Sequence, residues 1–367
     1  MKLKRVCVIG SGNGAFAVAG NLALRGYAVI LWDCDEFQAN LDALICNGNR
    51  LKVTGESLTG IATLEKVTGD LRAAMDESDV ILVVIPSFAF EKTAKKIAEY
   101  AQPGAKIFLC AGSTGGALEF ARIFKDASKK GILLGEYATL PYGCKKTSPV
   151  SVNIATDVKD NLFAAFPAKY NNILFEYAKE LFPITRMAET TLECSLNNGN
   201  IVIHGPIMVF NAAGTEKNPD NYHYRDGVTP SVSRVLDKLD NERLSICKEL
   251  GYNANSLAEI AVRRGYCPRL EKSTYETIRG SGDFMASKGP TTLNHRYLTE
   301  DIPYSALVVS ELGRILCVPT PLTDAVVALG EALIGENYQG SGRTAKSLGI
   351  EGMDKNRLMQ YLNSGYY

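Results

Sequence analysis

Histidine is scarce in this chain, with three in 367 residues, and there is a single tryptophan. No His/Cys cluster has zinc-ligand spacing, and the nine cysteines are scattered without one C-x-x-C pair, so no metal site is expected. Nine is odd, which excludes a complete intramolecular disulfide framework and points to reduced thiols and a cytoplasmic address. Net charge is lacking as well. Forty basic residues balance forty acidic ones, no basic run offers a track for a phosphate backbone, and nucleic acid is excluded as a partner on that ground. Long hydrophobic runs are also missing. The stretch VILVVIP at 80–86 is of strand length and far short of a bilayer span. The opening MKLKRVCVIGSG has a charged start, but its Gly-rich turn interrupts the apolar core of any secretion signal, so no membrane contact is expected.

What is present is a globular composition, 46% hydrophobic and 22% charged, in a chain too long for one ordinary core. Arg5–Ile9 reads as a short buried strand closed by GSGNGA. Phe16, Ala19, Leu22 and Ala23 then recur at helical spacing, Gly26 stops the helix, and YAVILWD (27–33) is a second buried strand. Strands that are apolar on both faces belong to a parallel sheet. A helix at 35–46, a small hairpin within 50–68, and further strands at 80–85, 106–110, 132–136 and 151–155 continue the pattern, followed by a helix around 171–181. From about residue 188 the texture changes to long helical stretches at 189–213, 230–250, 254–265, 303–317 and 319–334, with GTEKNPDNYHYRDGVTP (214–230) as a long loop. The expected fold is an α/β Rossmann domain with a doubly wound, mainly parallel sheet over residues 1–187. An all-α substrate domain follows over 188–367. The sequence leaves open whether the chain pairs as a homodimer.

The motif GSGNGA carries Gly10, Gly12 and Ala15 in G-x-G-x-x-A spacing. It lies between the first strand and first helix, with Asp33 eighteen residues past Ala15. In that context Gly10 permits the tight turn, and Gly12 lets backbone amides approach a pyrophosphate. Asn13 and Gly14 line the turn, and Ala15 allows close helix–strand packing. Asp33 would accept hydrogen bonds from the adenosine ribose. Asp35 and Glu36 add negative charge, and no Arg or Lys is expected near enough to receive a 2′-phosphate, which favours NAD over NADP. Loops at the carboxyl ends of later strands should complete the cofactor site. These are Pro86, Ser87 and Phe88, and the glycine turn containing Gly115.

Two stretches carry chemistry. In GNIVIHGPIMVF (199–210), His204 sits among aliphatic residues, either as a satisfied core imidazole or as part of a working site with apolar walls. In LNHRYLTEDIPYS (293–305), Arg296 and Asp301 lie five apart before an apolar helix opened by Pro303. The acids there also suit a helix start for dipole reasons alone. His223, in the polar loop, and His295, beside Arg296, have weaker claims.

Together, VIGSGNGA, AGSTGGALEF, LPYGC, NIVIHGPIMVFNAAG, HRYLTEDIPYSALV and GRTAKSLGI resemble the octopine/nopaline (opine) dehydrogenase family over nearly the whole length. The resemblance implies NADH-dependent reductive condensation of a 2-oxo acid, pyruvate for choice, with an amino acid, and the reverse oxidation. It makes His204 and Asp301 a catalytic pair and Arg296 the holder of a substrate carboxylate. It also places Glu136 and Thr139, in EYATLPYGCK (136–145), with the substrates. Tyr137 and Lys145 stand there where the family pattern has Thr and Arg, so amino-acid specificity stays open, and Glu136 could instead cap its strand end. Ketopantoate-reductase-like and glycerol-3-phosphate-dehydrogenase-like enzymes share the two-domain plan. They use a lysine that SLNNGNIVIHG lacks. A non-catalytic NAD sensor would have no need of the His/Arg/Asp set.

Overall fold

The computed structural model describes residues 3–365. It forms two compact units, one running to Gly112 and resuming at Gly116–Thr191, the other made of Ser113–Gly115 and the chain from Leu192 onward.

The first unit is built on an eight-stranded sheet. Its order is Thr185–Met187, Asn161–Phe166, Leu133–Tyr137, Lys106–Leu109, Val80–Val83, Arg5–Ile9, Ala28–Trp32 and Lys66–Thr68. All neighbours run parallel except Asn161–Phe166 against Leu133–Tyr137. Val80–Val83 is buried at every residue, as an apolar run covered on both faces must be.

A second sheet holds Gly60–Thr63, Arg50–Gly55, Ser151–Asp157 and Tyr142–Ser148. The expected hairpin within 50–68 is therefore only partly formed. Arg50–Gly55 and Gly60–Thr63 pair antiparallel, while Lys66–Thr68 crosses to the edge of the large sheet beside Ala28–Trp32. Helix Asn13–Leu24 lies between the two sheets. This is why Ala15–Leu22 is buried on every side and not along one stripe. The strands Tyr142–Ser148, Asn161–Phe166 and Thr185–Met187 are additions to the sequence reading.

The second unit is helical. Among the described residues it holds no strand, only an isolated bridge between Tyr222 and Lys288. The stretch expected as one helix over 189–213 is broken into Thr191–Leu196, Asn200–Phe210 and a final turn beginning at Ala212. Buried arginines take the carbonyls exposed at the first break: Arg243 Nη1 donates to Leu196 O at 2.6 Å and Arg264 Nη2 to Asn197 O at 2.8 Å. The segment 214–230 is not a loop throughout, because it contains the helix His223–Gly227. Among the described residues, no helix is long and apolar enough to cross a membrane.

Two buried charges brace this unit. Arg243 is fully buried on helix Pro230–Leu250. Its Nε donates to Asp240 Oδ1 at 2.8 Å and its Nη2 to Asn255 O at 2.6 Å, while Asp240 Oδ2 accepts from the Leu257 amide at 2.7 Å. The residue before Arg243, Glu242, accepts from the amides of Leu322 and Thr323 at 2.8 and 2.9 Å, and so caps Pro321–Ile334 where the helix dipole favours a carboxylate. Replacing Arg243 alone strands the Asp240 charge and two carbonyls. Arg243→Met should therefore lower unfolding free energy by about 3–5 kcal/mol, read from the urea midpoint. A loss below about 1 kcal/mol would show that the buried cluster contributes little.

Candidate active site

The turn GSGNGA has the geometry its spacing demands. Gly10 adopts φ +117°, and a Cβ there would lie 2.5 Å from the Val84 carbonyl, so only glycine fits. Gly12 is the N-cap of Asn13–Leu24, with no side-chain cap and nothing within 4 Å of a Cβ placed on it. Open space thus faces the uncapped first-turn amides of a twelve-residue helix, which suits a pyrophosphate. Asp33 is 6% exposed; its Oδ2 accepts from Ser11 Oγ at 2.6 Å and its Oδ1 from the Cys34 amide at 2.8 Å. Lone pairs remain on both oxygens for ribose hydroxyls. Pro86 caps the short turn Ser87–Ala89, with Ser87 buried and Phe88 exposed, beyond the carboxyl end of Val80–Val83.

The expectation that no Lys lies near the acidic stretch is corrected by the second sheet. Lys146, on Tyr142–Ser148, donates to Ser11 O at 3.3 Å and Asn40 Oδ1 at 3.1 Å. Burial lowers its pKa, while the Asp33 charge acts to raise it. Lys92 is paired with Glu36. Sequence distance hid both cations.

Gly115 is also redirected. Its amide donates to Ser195 Oγ at 3.0 Å, and the neighbouring Thr114 carbonyl accepts from Arg343 Nη1 at 2.8 Å. Both bonds lie within the helical unit. The Gly115 amide is thus engaged in a tertiary contact in this structure.

Glu136 is fully buried, and its Oε2 accepts from the Ala117 amide at 2.8 Å in the first turn of Gly116–Asp126. A buried carboxylate at a helix start caps Gly116–Asp126, in keeping with the structural alternative to the substrate-facing expectation. Thr139 is held through its backbone: its amide donates to Asn161 Oδ1 at 3.2 Å and its carbonyl accepts from Asn161 Nδ2 at 2.8 Å.

The helical unit brings His204 and Asp301 together. His204 lies on Asn200–Phe210, followed by Gly205, where a Cβ would stand 2.5 Å from Ile302 Cγ1 and 3.1 Å from the Tyr297 carbonyl. Asp301 opens a π-turn over Ile302–Ala306. Its amide donates to Arg296 O and its carbonyl accepts from the Ala306 amide, both five residues away, at 3.0 and 3.2 Å. Pro303 has no N–H to continue an α-helical ladder there, so the wider turn takes over.

In this setting His204 Nδ1 lies 2.9 Å from Asp301 Oδ2, with the two side chains 15% and 8% exposed. A carboxylate only accepts, so Nδ1 donates to Asp301 and Nε2 is the ring's remaining polar atom. That atom meets the Tyr224 hydroxyl at 3.0 Å. Tyr297 stacks on the imidazole, with centroids 4.2 Å apart and planes at 23°. Arg296 has its side chain 58% exposed and its Nη2 2.9 Å from Glu300 Oε2. His295 caps the short helix that begins at Arg296, its Nδ1 accepting from the Tyr297 amide at 3.3 Å.

The sequence reading missed Tyr224, Tyr297 and the burial of His223. The signal was there: an aromatic run, YHY at 222–224, inside a polar segment. His223 is 4% exposed, and its Nε2 has no hydrogen-bond partner. Burial, then the neighbouring His204 and His295, hold it well below its ordinary value. Burial and then Arg296 lower His295 as well. Burial pushes the Tyr224 phenol well above its usual range, with Tyr297, Tyr266 and Asp301 adding to the effect.

The alpha-helical domain model of NAD/NADP octopine/nopaline dehydrogenases matches residues 187–334, and the N-terminal model of NAD-dependent glycerol-3-phosphate dehydrogenases matches 5–119. The chain is 35% identical to an opine dehydrogenase of Arthrobacter sp. over 353 residues, covering 95% of this chain and 96% of that one. It is 24% identical to a vitopine synthase of Allorhizobium ampelinum, covering 98% and 99%. A solved structure of octopine dehydrogenase with NADH and L-arginine superposes with a TM-score of 0.83 at 19% identity, covering 99% of both chains, a likeness of fold.

The neutral state of buried His223 makes a prediction for stability. The unfolded chain binds a proton near the ordinary value of 6.5 that the buried ring refuses. The stability it contributes is full above about pH 6.5 and is lost as pH falls toward the folded value, by at most about 1.4 kcal/mol per pH unit. His223→Phe should flatten this part of the profile, read as urea midpoints from pH 7.5 to 5.5. Equal slopes for the two proteins would contradict a neutral His223.

Proposed function

The chain belongs to the opine dehydrogenase family, and on that footing we propose that it joins a 2-oxo acid, pyruvate for choice, to the amino group of an L-amino acid by NADH-dependent reduction, and runs the reverse oxidation. It is an oxidoreductase acting on CH–NH donors. The observation that carries the roles assigned here is the 2.9 Å bond between His204 and Asp301 in a chain with only three histidines.

Condensation removes the 2-oxo oxygen as water and leaves an imine, which hydride and a proton convert to a secondary amine, so protons must move to oxygen and from nitrogen in turn. An imidazole exchanges protons near neutral pH. Asp301 fixes the ring's tautomer and stabilises the imidazolium when it forms. Arg296 presents an exposed guanidinium with donors beyond the one turned to Glu300, and such a fork grips a carboxylate bidentately. Its hold on the 2-oxo acid would fix the carbonyl carbon for attack.

The dinucleotide supplies the hydride. Gly10, Gly12 and the uncapped helix start fit its pyrophosphate, and Asp33 fits the adenosine ribose. A 2′-phosphate would meet the Asp33 carboxylate, while Lys146 is engaged by Ser11 and Asn40 and only partly offsets that repulsion. NADH is therefore the preferred cofactor. The N-terminal model of glycerol-3-phosphate dehydrogenases covers only residues 5–119, outside the helix that carries His204, and Asn200–Phe210 contains no lysine.

Steady-state kinetics separate the roles. His204→Ala should lower kcat by about 10²-fold or more with NADH binding intact. Arg296→Ala should act mainly by raising the KM of the 2-oxo acid, because a ground-state contact is lost. Asp301→Asn should keep the shape, lower kcat and shift the pH–rate profile. Near-normal turnover in folded His204→Ala would return that ring to a packing role. For the cofactor, Asp33→Ser should narrow the NADH preference by about tenfold or more, equivalent to about 1.4 kcal/mol. An unchanged ratio of catalytic efficiencies for NADH and NADPH would remove Asp33 from cofactor selection.

A further inference from the structure

With Nδ1 bonded to Asp301, His204 can exchange a proton with substrate only through Nε2, and that atom is already occupied. The Tyr224 hydroxyl sits on it at 3.0 Å. Either Tyr224 leaves when substrate arrives, or the proton passes through it.

The packing argues against departure. Tyr224 is 6% exposed and lies on the helix His223–Gly227. Its ring stacks on Phe284, with centroids 4.3 Å apart and planes at 24°, and meets His223 edge-on at 4.8 Å. The Tyr297 phenol, stacked on His204, is a further neighbour. Swinging the ring out would break two aromatic contacts, each worth about 0.5–1.5 kcal/mol beyond area burial, and expose a buried ring.

We propose that Tyr224 is a catalytic residue that relays the proton between His204 and the substrate. The inference rests on the reading of His204 as the acid–base group. In the reductive direction the Tyr224 O–H bond breaks as its proton passes to the substrate heteroatom. The His204 Nε2–H bond breaks as its proton refills the Tyr224 oxygen. One proton leaves the imidazolium and one reaches the substrate, no electrons change hands, and solvent later recharges His204. The oxidative direction reverses each transfer. Burial raises the phenol far enough that a free tyrosinate does not accumulate, so the two transfers move together.

The test is single-turnover NADH oxidation with saturating 2-oxo acid and amino acid, in mixtures of H2O and D2O. The wild-type rate should fall along a curve as deuterium rises, because two protons are in flight. Tyr224→Phe keeps the ring and the Phe284 stack; it should slow the step by about 10²-fold and give a straight line. Replacement of Tyr224 by 3-fluorotyrosine restores a hydroxyl and should bring back most of the rate and the curvature. This variant also carries the test if Tyr224→Phe fails to fold. A Tyr224→Phe rate within about twofold of wild type, or an unchanged curve, overturns the relay. So does a slow fluorotyrosine variant. His204→Ala measured beside them separates the levels. If it is slow while Tyr224→Phe is fast, only the relay falls. If it is fast, the reading of His204 falls and takes the relay with it.

Discussion

The active-site geometry depends on how closely the helix Asn200–Phe210 approaches the segment that follows Arg296. Gly205 sets that distance. A single methyl group there would stand 2.5 Å from Ile302 and 3.1 Å from the Tyr297 carbonyl, so any side chain would drive the two elements apart. His204 and Asp301 are the immediate neighbours of Gly205 and Ile302. The hydrogen bond between them exists at 2.9 Å because the backbones meet one residue away. A shift of even one ångström would break it. The π-turn after Asp301 and the Tyr297 stack belong to the same close packing, and the buried Arg243 and Glu242 brace the surrounding helices.

Electrostatics divide the three histidines within this packing. His223 is buried and His295 half-buried, neither with a bonded carboxylate, and both are pushed toward the neutral form. His204 has Asp301 on one nitrogen and a phenol on the other. The surroundings therefore keep positive charge off two rings and offer a counter-ion to the third. Such a contrast among neighbouring imidazoles is what the proposed role of His204 requires.

Much of the architecture could be read from local pattern. The Gly-rich turn between the first strand and first helix, the helix at 171–181 and the switch to helices near residue 188 follow from periodicity and glycine placement, and the structure contains each of them. What local pattern could not show is pairing across long separations. Tyr142–Ser148 carries polar residues at most positions and reads as a loop until Ser151–Asp157 is laid beside it, and only then does Lys146 reach the turn at Ser11. Glu136 and Gly115 look ligand-facing from their motifs, yet one caps a helix and the other bonds Ser195. Tyr224 sits in a segment whose Asn, Asp and Gly content signals a loop, and its aromatic burial depends on Phe284, sixty residues later. Pairing His204 with Asp301 called for the family resemblance, since 97 residues separate them in the chain.

The central claim is that this protein makes a carbon–nitrogen bond and does not merely reduce a ketone. NADH oxidation measured with pyruvate alone, and again with a pool of L-amino acids added, tests it directly when the product is identified by mass. Oxidation should be negligible with pyruvate alone and rapid once an amino acid is present, and the product should carry the amino nitrogen on C2 of the former oxo acid. Rapid oxidation with pyruvate alone, yielding the 2-hydroxy acid and unaffected by the amino acids, would contradict it.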